Sequence, residues 1–280
     1  MASDRARAGV ALAEDQSELL VPLRDGGGRP PVFCVHPVSG SAYAYSGLAG
    51  LLPADQPVYG FEAPGFDNDR APVPVLPRLA DEYTAILRAV APGQPYRLLG
   101  WSLGGLLAFE VAKRLRAAGE EVAVLILVDA PLPHVLPLPP ERDMLLRFVN
   151  DMMGTSEEEA APNVLALFAG WPEDMAPEQA FALIEEAEIL PEEMDAAMLA
   201  EQYAVFRALL EGFHSIEVTG SCDVAALHIL AEISPRHEMD WSGALPGIRE
   251  LTLPGSHYSI WAGQSLVEMS EIVLATLDDR

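Results

Sequence analysis

Residues 96–105 read YRLLGWSLGG, an apolar run followed by Ser102 set among Gly100, Gly104 and Gly105. Glycine weakens both strand and helix interiors, so the backbone here must serve something other than regular structure. The spacing Gly100-x-Ser102-x-Gly104 fits a strand that turns sharply into a helix. The serine sits at the apex, with its hydroxyl exposed and its backbone strained. Small neighbours are then required, because the incoming strand and the outgoing helix pass close together. The helix N-terminus would aim backbone N–H groups, that of Leu103 in particular, at a point where negative charge develops. The ordinary alternatives are a plain glycine-rich strand–helix turn and a phosphate-binding turn. The second lacks both the G-x-G-x-x-G spacing and the lysine that such turns use.

The flanking sequence agrees with a strand–turn–helix reading. Residues 96–99 are predicted as a strand and 106–118 as a helix stopped by Gly119. Upstream, 19–23 and 31–35 read as strands around Asp25-Gly26-Gly27-Gly28, a hairpin opening the domain. A helix over 44–52 and a short strand over 57–61 follow. Leu79, Tyr83, Ile86, Leu87 and Val90 then recur at helical spacing over 76–90. Downstream, residues 122–128 (VAVLILV) form a continuous apolar run, which suits a strand covered on both faces. Strand and helix alternate, so the fold class is α/β with a mostly parallel central sheet flanked by helices.

After Pro133 the rhythm breaks. Residues 138–212 read as helices only, with sixteen acids against two arginines between Glu141 and Glu201. This is a helical insertion rather than a continuation of the sheet. Strands over 223–230 and 248–253 and a closing helix over 265–277 restore the alternation. Residues 1–17 are polar and alanine-rich and read as a tail or linker, leaving one domain over 18–280.

Half of the residues are hydrophobic, as a folded core requires. Lys and Arg number 17 against 42 Asp and Glu, a net charge of −25. That balance excludes a nucleic-acid partner, which needs a basic face, and disfavours an anionic membrane surface. A solvated exterior is its plain explanation. No stretch resembles a signal peptide or reaches the length of a membrane span, so a soluble cytoplasmic protein is expected. Cys34 and Cys222, both in apolar strand-like runs, are read as buried free thiols, not as a disulfide framework.

A serine hydroxyl needs a base to act as a nucleophile. Six histidines compete. His228 lies inside an apolar strand and reads as a core residue. His134 and His214 lie in or near the insertion. His237 falls in a polar loop, and His36 ends a strand beside Pro37, where a structural hydrogen bond is expected. His257, in PGSHYSIW, follows a strand and precedes the last helix. Loops at the C-terminal ends of parallel strands gather along one edge, so His257 can meet Ser102 there. A base in turn needs an acid to hold its tautomer. Asp129 ends the strand next to the serine's, and no helical pattern begins directly after it, which weakens its reading as a helix cap. The chain order Ser102, Asp129, His257 is that of α/β-hydrolases.

With these residues in place, the sequence resembles the type I thioesterase domains that end non-ribosomal peptide synthetases and polyketide synthases, within the α/β-hydrolase superfamily. PVFCVHPVSGS, VYGFEAPGF, YRLLGWSLGGLLAFEVAKRL, LILVDAPLP and LPGSHYSIW carry the resemblance. It implies release of a peptidyl or polyketidyl chain from the phosphopantetheine thioester of an upstream carrier domain. An acyl-enzyme on Ser102 would form first, followed by hydrolysis or macrocyclisation. It also implies a second oxyanion donor, the backbone N–H of Val38, no metal, no cofactor of the domain's own, and a monomer. The insertion becomes a lid over the acyl chain, in which Met152, Met153, Leu165, Phe168, Phe181 and Met194 are expected mainly as packing residues, some lining a substrate chamber. The rival readings are a stand-alone editing (type II) thioesterase, an esterase or lipase of the same fold, and a non-catalytic relative. Trp101, where editing enzymes tend to carry histidine, and the absence of an HGGG-type loop weigh against the first two. The complete Ser/His/Asp set weighs against the third.

Overall fold

Runs that are apolar on both faces can be satisfied only in the interior of a sheet. In the computed structural model, which describes residues 18–156, 159–191 and 194–279, such runs form the central strands. Strands β2 (Val32–Val35), β3 (Val58–Phe61) and β4 (Tyr96–Trp101) are buried at every residue, and β5 (Val122–Val128) at all but Ala123. With β1 (Leu20–Arg24), β6 (Ala226–Ala231) and β7 (Arg249–Leu253) they make a seven-stranded sheet among the described residues, in the order β1-β3-β2-β4-β5-β6-β7. Only β1 runs antiparallel.

Helices cover both faces. Helices α2 (Leu76–Val90) and α3 (Leu103–Ala117) pack Leu79, Tyr83, Leu106 and Phe109 against one face. Helices α1 (Ser46–Leu51) and α8 (Gly263–Asp278) bury Leu48, Met269 and Val273 on the other. Between β5 and β6 lie α4 (Glu141–Met153), α5 (Pro162–Ala169), α6 (Pro177–Glu186) and α7 (Ala196–Ser215), with a hydrophobic cluster of their own around Phe148, Phe181, Tyr203 and Phe206.

The structure corrects several expectations. No hairpin opens the domain, because β1 pairs antiparallel with β3 while β2 lies between β3 and β4. The four buried residues of β2 demand an interior place, whereas β1 is half exposed and suits an edge. Strand β4 continues through Gly100 and Trp101, and α3 begins at Leu103, directly after the serine. Cys34 lies in β2, but Cys222 lies in the loop before β6, and both are buried free thiols. Phe168 and Phe181 are buried in the helical cluster, whereas Met153 and Leu165 are exposed. The tail expected over residues 1–17 lies outside the described residues.

Candidate active site

The turn between β4 and α3 is closed by contacts that only glycine permits. A Cβ added to Gly100 would run into the carbonyl of Gly104, and one added to Gly104 would run into the carbonyl oxygens of Val35 and His36 on the neighbouring strand. Ser102 at the apex has φ +56° and ψ −130°, a conformation that an L residue adopts only under constraint. The constraint is visible. The Ser102 N–H donates to the Val128 carbonyl at 3.0 Å, and the Gly105 N–H donates to the Ser102 carbonyl at 3.0 Å. The first turn of α3 leaves its backbone N–H groups pointing past the serine.

Asp129 follows β5, the strand adjacent to β4. Its φ is +40°, and its N–H donates to Ile229 of β6 at 2.7 Å, which turns the fully buried carboxylate toward the loop after β7. There His257 Nδ1–H donates to Asp129 Oδ2 at 2.6 Å. Ser234 Oγ donates to the same oxygen at 2.7 Å, and the Ala231 N–H donates to Oδ1 at 2.8 Å. Burial alone would raise the Asp129 pKa, but these bonds outweigh it and hold the carboxyl below its ordinary value. An ionised Asp129 fixes the proton of His257 on Nδ1 and leaves Nε2 as an acceptor. Trp101 packs on the imidazole with ring centroids 5.1 Å apart.

Ser102 and His257 line one cavity of about 440 Å³, together with Leu103 and Val38. The other histidines stand apart. His36 Nδ1–H donates to the Pro37 carbonyl at 2.9 Å and its Nε2 accepts from Tyr83 Oη at 2.7 Å, while burial pushes its pKa down to about 4. The Ala130 N–H donates to His228 Nε2 at 3.2 Å, and burial pushes that ring down to about 4 as well. Both are neutral structural groups. His237 is exposed, His134 lies in the loop after β5, and His214 in the last turn of α7.

Sequence reasoning missed Ser234, Tyr258 and Asp151, and read Trp101 only as a mark against an editing enzyme, not as a neighbour of the imidazole. Trp101 and Tyr258 adjoin Ser102 and His257 in the chain, a signal that was available. Nothing in the sequence marks Ser234, and Asp151, between Asn150 and Met152, carries no signal of its own. Asp151, on α4, accepts a hydrogen bond from Tyr258 Oη at 2.9 Å, tying the helical insertion to the histidine loop. Burial pushes its pKa up to about 6. The native state therefore holds this proton more tightly than the unfolded chain does, and its contribution to stability falls as pH rises from about 4 to about 6. Asp151→Asn keeps an oxygen for Tyr258 and removes the titration. The melting temperature of the variant should match wild type near pH 4 and exceed it above pH 6; a constant difference across that range would contradict this account.

A family model described as "Thioesterase domain" matches residues 30–239. The Dimodular nonribosomal peptide synthase of Bacillus subtilis (strain 168) is 33% identical over 204 residues, which cover 73% of this chain and 8% of that protein. Malpinin synthetase of Mortierella alpina is 38% identical over 135 residues, 48% of this chain and 2% of that protein. The chain thus spans under a tenth of these relatives. Among solved structures, a four-domain nonribosomal peptide synthetase, holo-AB3403 bound to AMP and glycine, superposes with a TM-score of 0.77 at 22% identity over 91% of this chain and 20% of that one. The thioesterase domain SrfTE, described as cyclising the lipopeptide antibiotic surfactin, gives a TM-score of 0.64 at 19% identity over 96% and 100% of the two chains. At these identities the structural likeness speaks for the fold, which is that of α/β-hydrolases.

Proposed function

This chain belongs to the thioesterase-domain family, and on that premise we propose that it releases a peptidyl or polyketidyl chain from a carrier domain through an acyl-enzyme on Ser102. The observation that carries the reading is the convergence of the strained Ser102 and the Asp129–His257 pair on one cavity. His257 Nε2 takes the Ser102 Oγ proton as Oγ attacks the thioester carbonyl carbon. The oxyanion is received by the N–H groups of Leu103 and Val38. The C–S bond breaks, and the phosphopantetheine thiolate leaves with the proton from His257. Water, or an amine or hydroxyl of the chain itself, then gives its proton to His257 and attacks the ester, yielding a free acid or a macrocycle and restoring Ser102. Asp129 stays ionised throughout and stabilises the imidazolium.

The domain acts as a monomer with its carrier domain as partner. It needs no metal or cofactor of its own. Among the described residues no helix is long and apolar enough to cross a membrane. Helices α4 to α7 form the lid. Phe206 and Leu210 of α7 line the same cavity as Ser102, and excluding water there favours cyclisation over hydrolysis.

The test is intact-mass spectrometry after mixing the protein with an acyl thioester of N-acetylcysteamine, followed by analysis of the products. An acyl adduct localised to Ser102 is expected. Turnover of free small esters but not of thioesters would favour the esterase reading instead.

A further inference from the structure

Asn150 lies on α4 beside Phe148 and Val149, which belong to the helical cluster. It is 2% exposed. Among the described residues neither its carboxamide oxygen nor its nitrogen meets a hydrogen-bond partner. The residue lines the cavity that holds Ser102 and His257. A buried carboxamide without partners lowers stability, since its donors and acceptor give up water on folding and gain nothing in return. Leucine, of similar size and shape, would not carry that penalty. An asparagine in this place therefore calls for a partner that arrives with the substrate.

The chemistry of that partner can be read from the group. A carboxamide presents one acceptor and two donors in a plane. In an extended polypeptide the N–H and C=O of one residue point to the same side, as they do when paired strands exchange two hydrogen bonds. One carboxamide satisfies both. The apolar part of the cavity wall, with Val38, Phe206, Leu210 and Phe213, would bind a hydrocarbon and a peptide side chain alike. It cannot by itself distinguish the two.

Resting on the thioesterase reading above, we propose that Asn150 is a specificity residue whose carboxamide pairs with a peptide unit of the acyl chain on Ser102. The site thereby selects peptidyl over plain alkanoyl chains. The effect acts through hydrogen bonds present in the bound chain, so it appears in the ratio of kcat/KM between substrates. The loss of that ratio comes with a gain in stability of the free protein.

The experiment compares a dipeptidyl thioester of N-acetylcysteamine with a straight-chain alkanoyl thioester of equal backbone length, in wild type and Asn150→Leu. The peptidyl-to-alkanoyl ratio of kcat/KM is expected to fall about tenfold in the variant. Its melting temperature should equal or exceed that of wild type. Asn150→Ser, which is smaller and leaves no carboxamide, should lose the same selectivity if the leucine variant does not fold. An unchanged ratio, or a lower melting temperature with equal losses on both thioesters, would overturn the role of Asn150 while leaving the acyl-enzyme reading in place. If wild type forms no adduct on Ser102 with either thioester, the thioesterase reading falls, and this inference with it.

Discussion

Ser102→Ala is expected to lower kcat toward a thioester by about 10⁶-fold and to abolish the acyl adduct, with the fold intact. In the proposed reaction the hydroxyl forms the covalent bond, and His257 and the oxyanion donors would retain little to act on once it is gone. Ser102→Gly should be equally inactive but more stable than the alanine variant. At φ +56° and ψ −130° any Cβ is strained, and alanine keeps that strain while glycine releases it. Strain of this kind amounts to about 1–3 kcal/mol, and the added freedom of glycine in the unfolded chain offsets about 0.4–1 kcal/mol, so a net gain on the order of 1 kcal/mol is expected. Denaturant melts of the two variants measure it. Equal stabilities would show that the apex is relaxed and that the serine's position has another cause. Appreciable turnover by either variant would remove Ser102 from the chemistry.

Gly104→Ala is expected to prevent stable folding. The new Cβ would meet the carbonyl oxygens of Val35 and His36, both of which are backbone atoms at the end of β2. A flexible side chain could rotate away, but a strand in the middle of a parallel sheet cannot. Either α3 must lift from the sheet or β2 must break register. Overpacking that moves backbone falls in the severe class of substitutions, at about 4 kcal/mol or more, a large share of the roughly 5–15 kcal/mol that holds a domain together. Gly50→Ala supplies the control, because Gly50 lies in α1 and an added Cβ there has nothing within 4 Å. That change should raise stability by about 0.5–1 kcal/mol through helix propensity and reduced unfolded-state entropy. Thermal melts of both variants decide the matter. A Gly104→Ala protein that melts near wild type would mean that the tight β4–α3 turn is not needed.

Much of this molecule can be read without coordinates. Where one face of an element carries the pattern, as along α2, or both faces do, as along β5, composition and spacing are sufficient, because burial is a property of the residues themselves. The glycines of the β4–α3 turn were also legible as a demand for close approach, although the partners in that approach, Val35 and His36, were not. The sequence could place Ser102, Asp129 and His257 each after a strand, and parallel topology then brings such positions to one edge.

Strand order was beyond it. The pairing of β1 with β3 rather than β2 depends on which strand can accept an exposed face, a comparison between elements far apart in the chain. The partners of Asp129 were likewise hidden. Ala231, at the end of β6, and Ser234, in the loop after it, reach its carboxylate across about a hundred residues. The unpaired amide of Asn150 and the raised carboxyl of Asp151 also exist only in three dimensions. An isolated residue type carries hydrophobicity, flexibility and hydrogen-bonding capacity. Whether that capacity is met, and by which neighbour, is set when the chain closes around it.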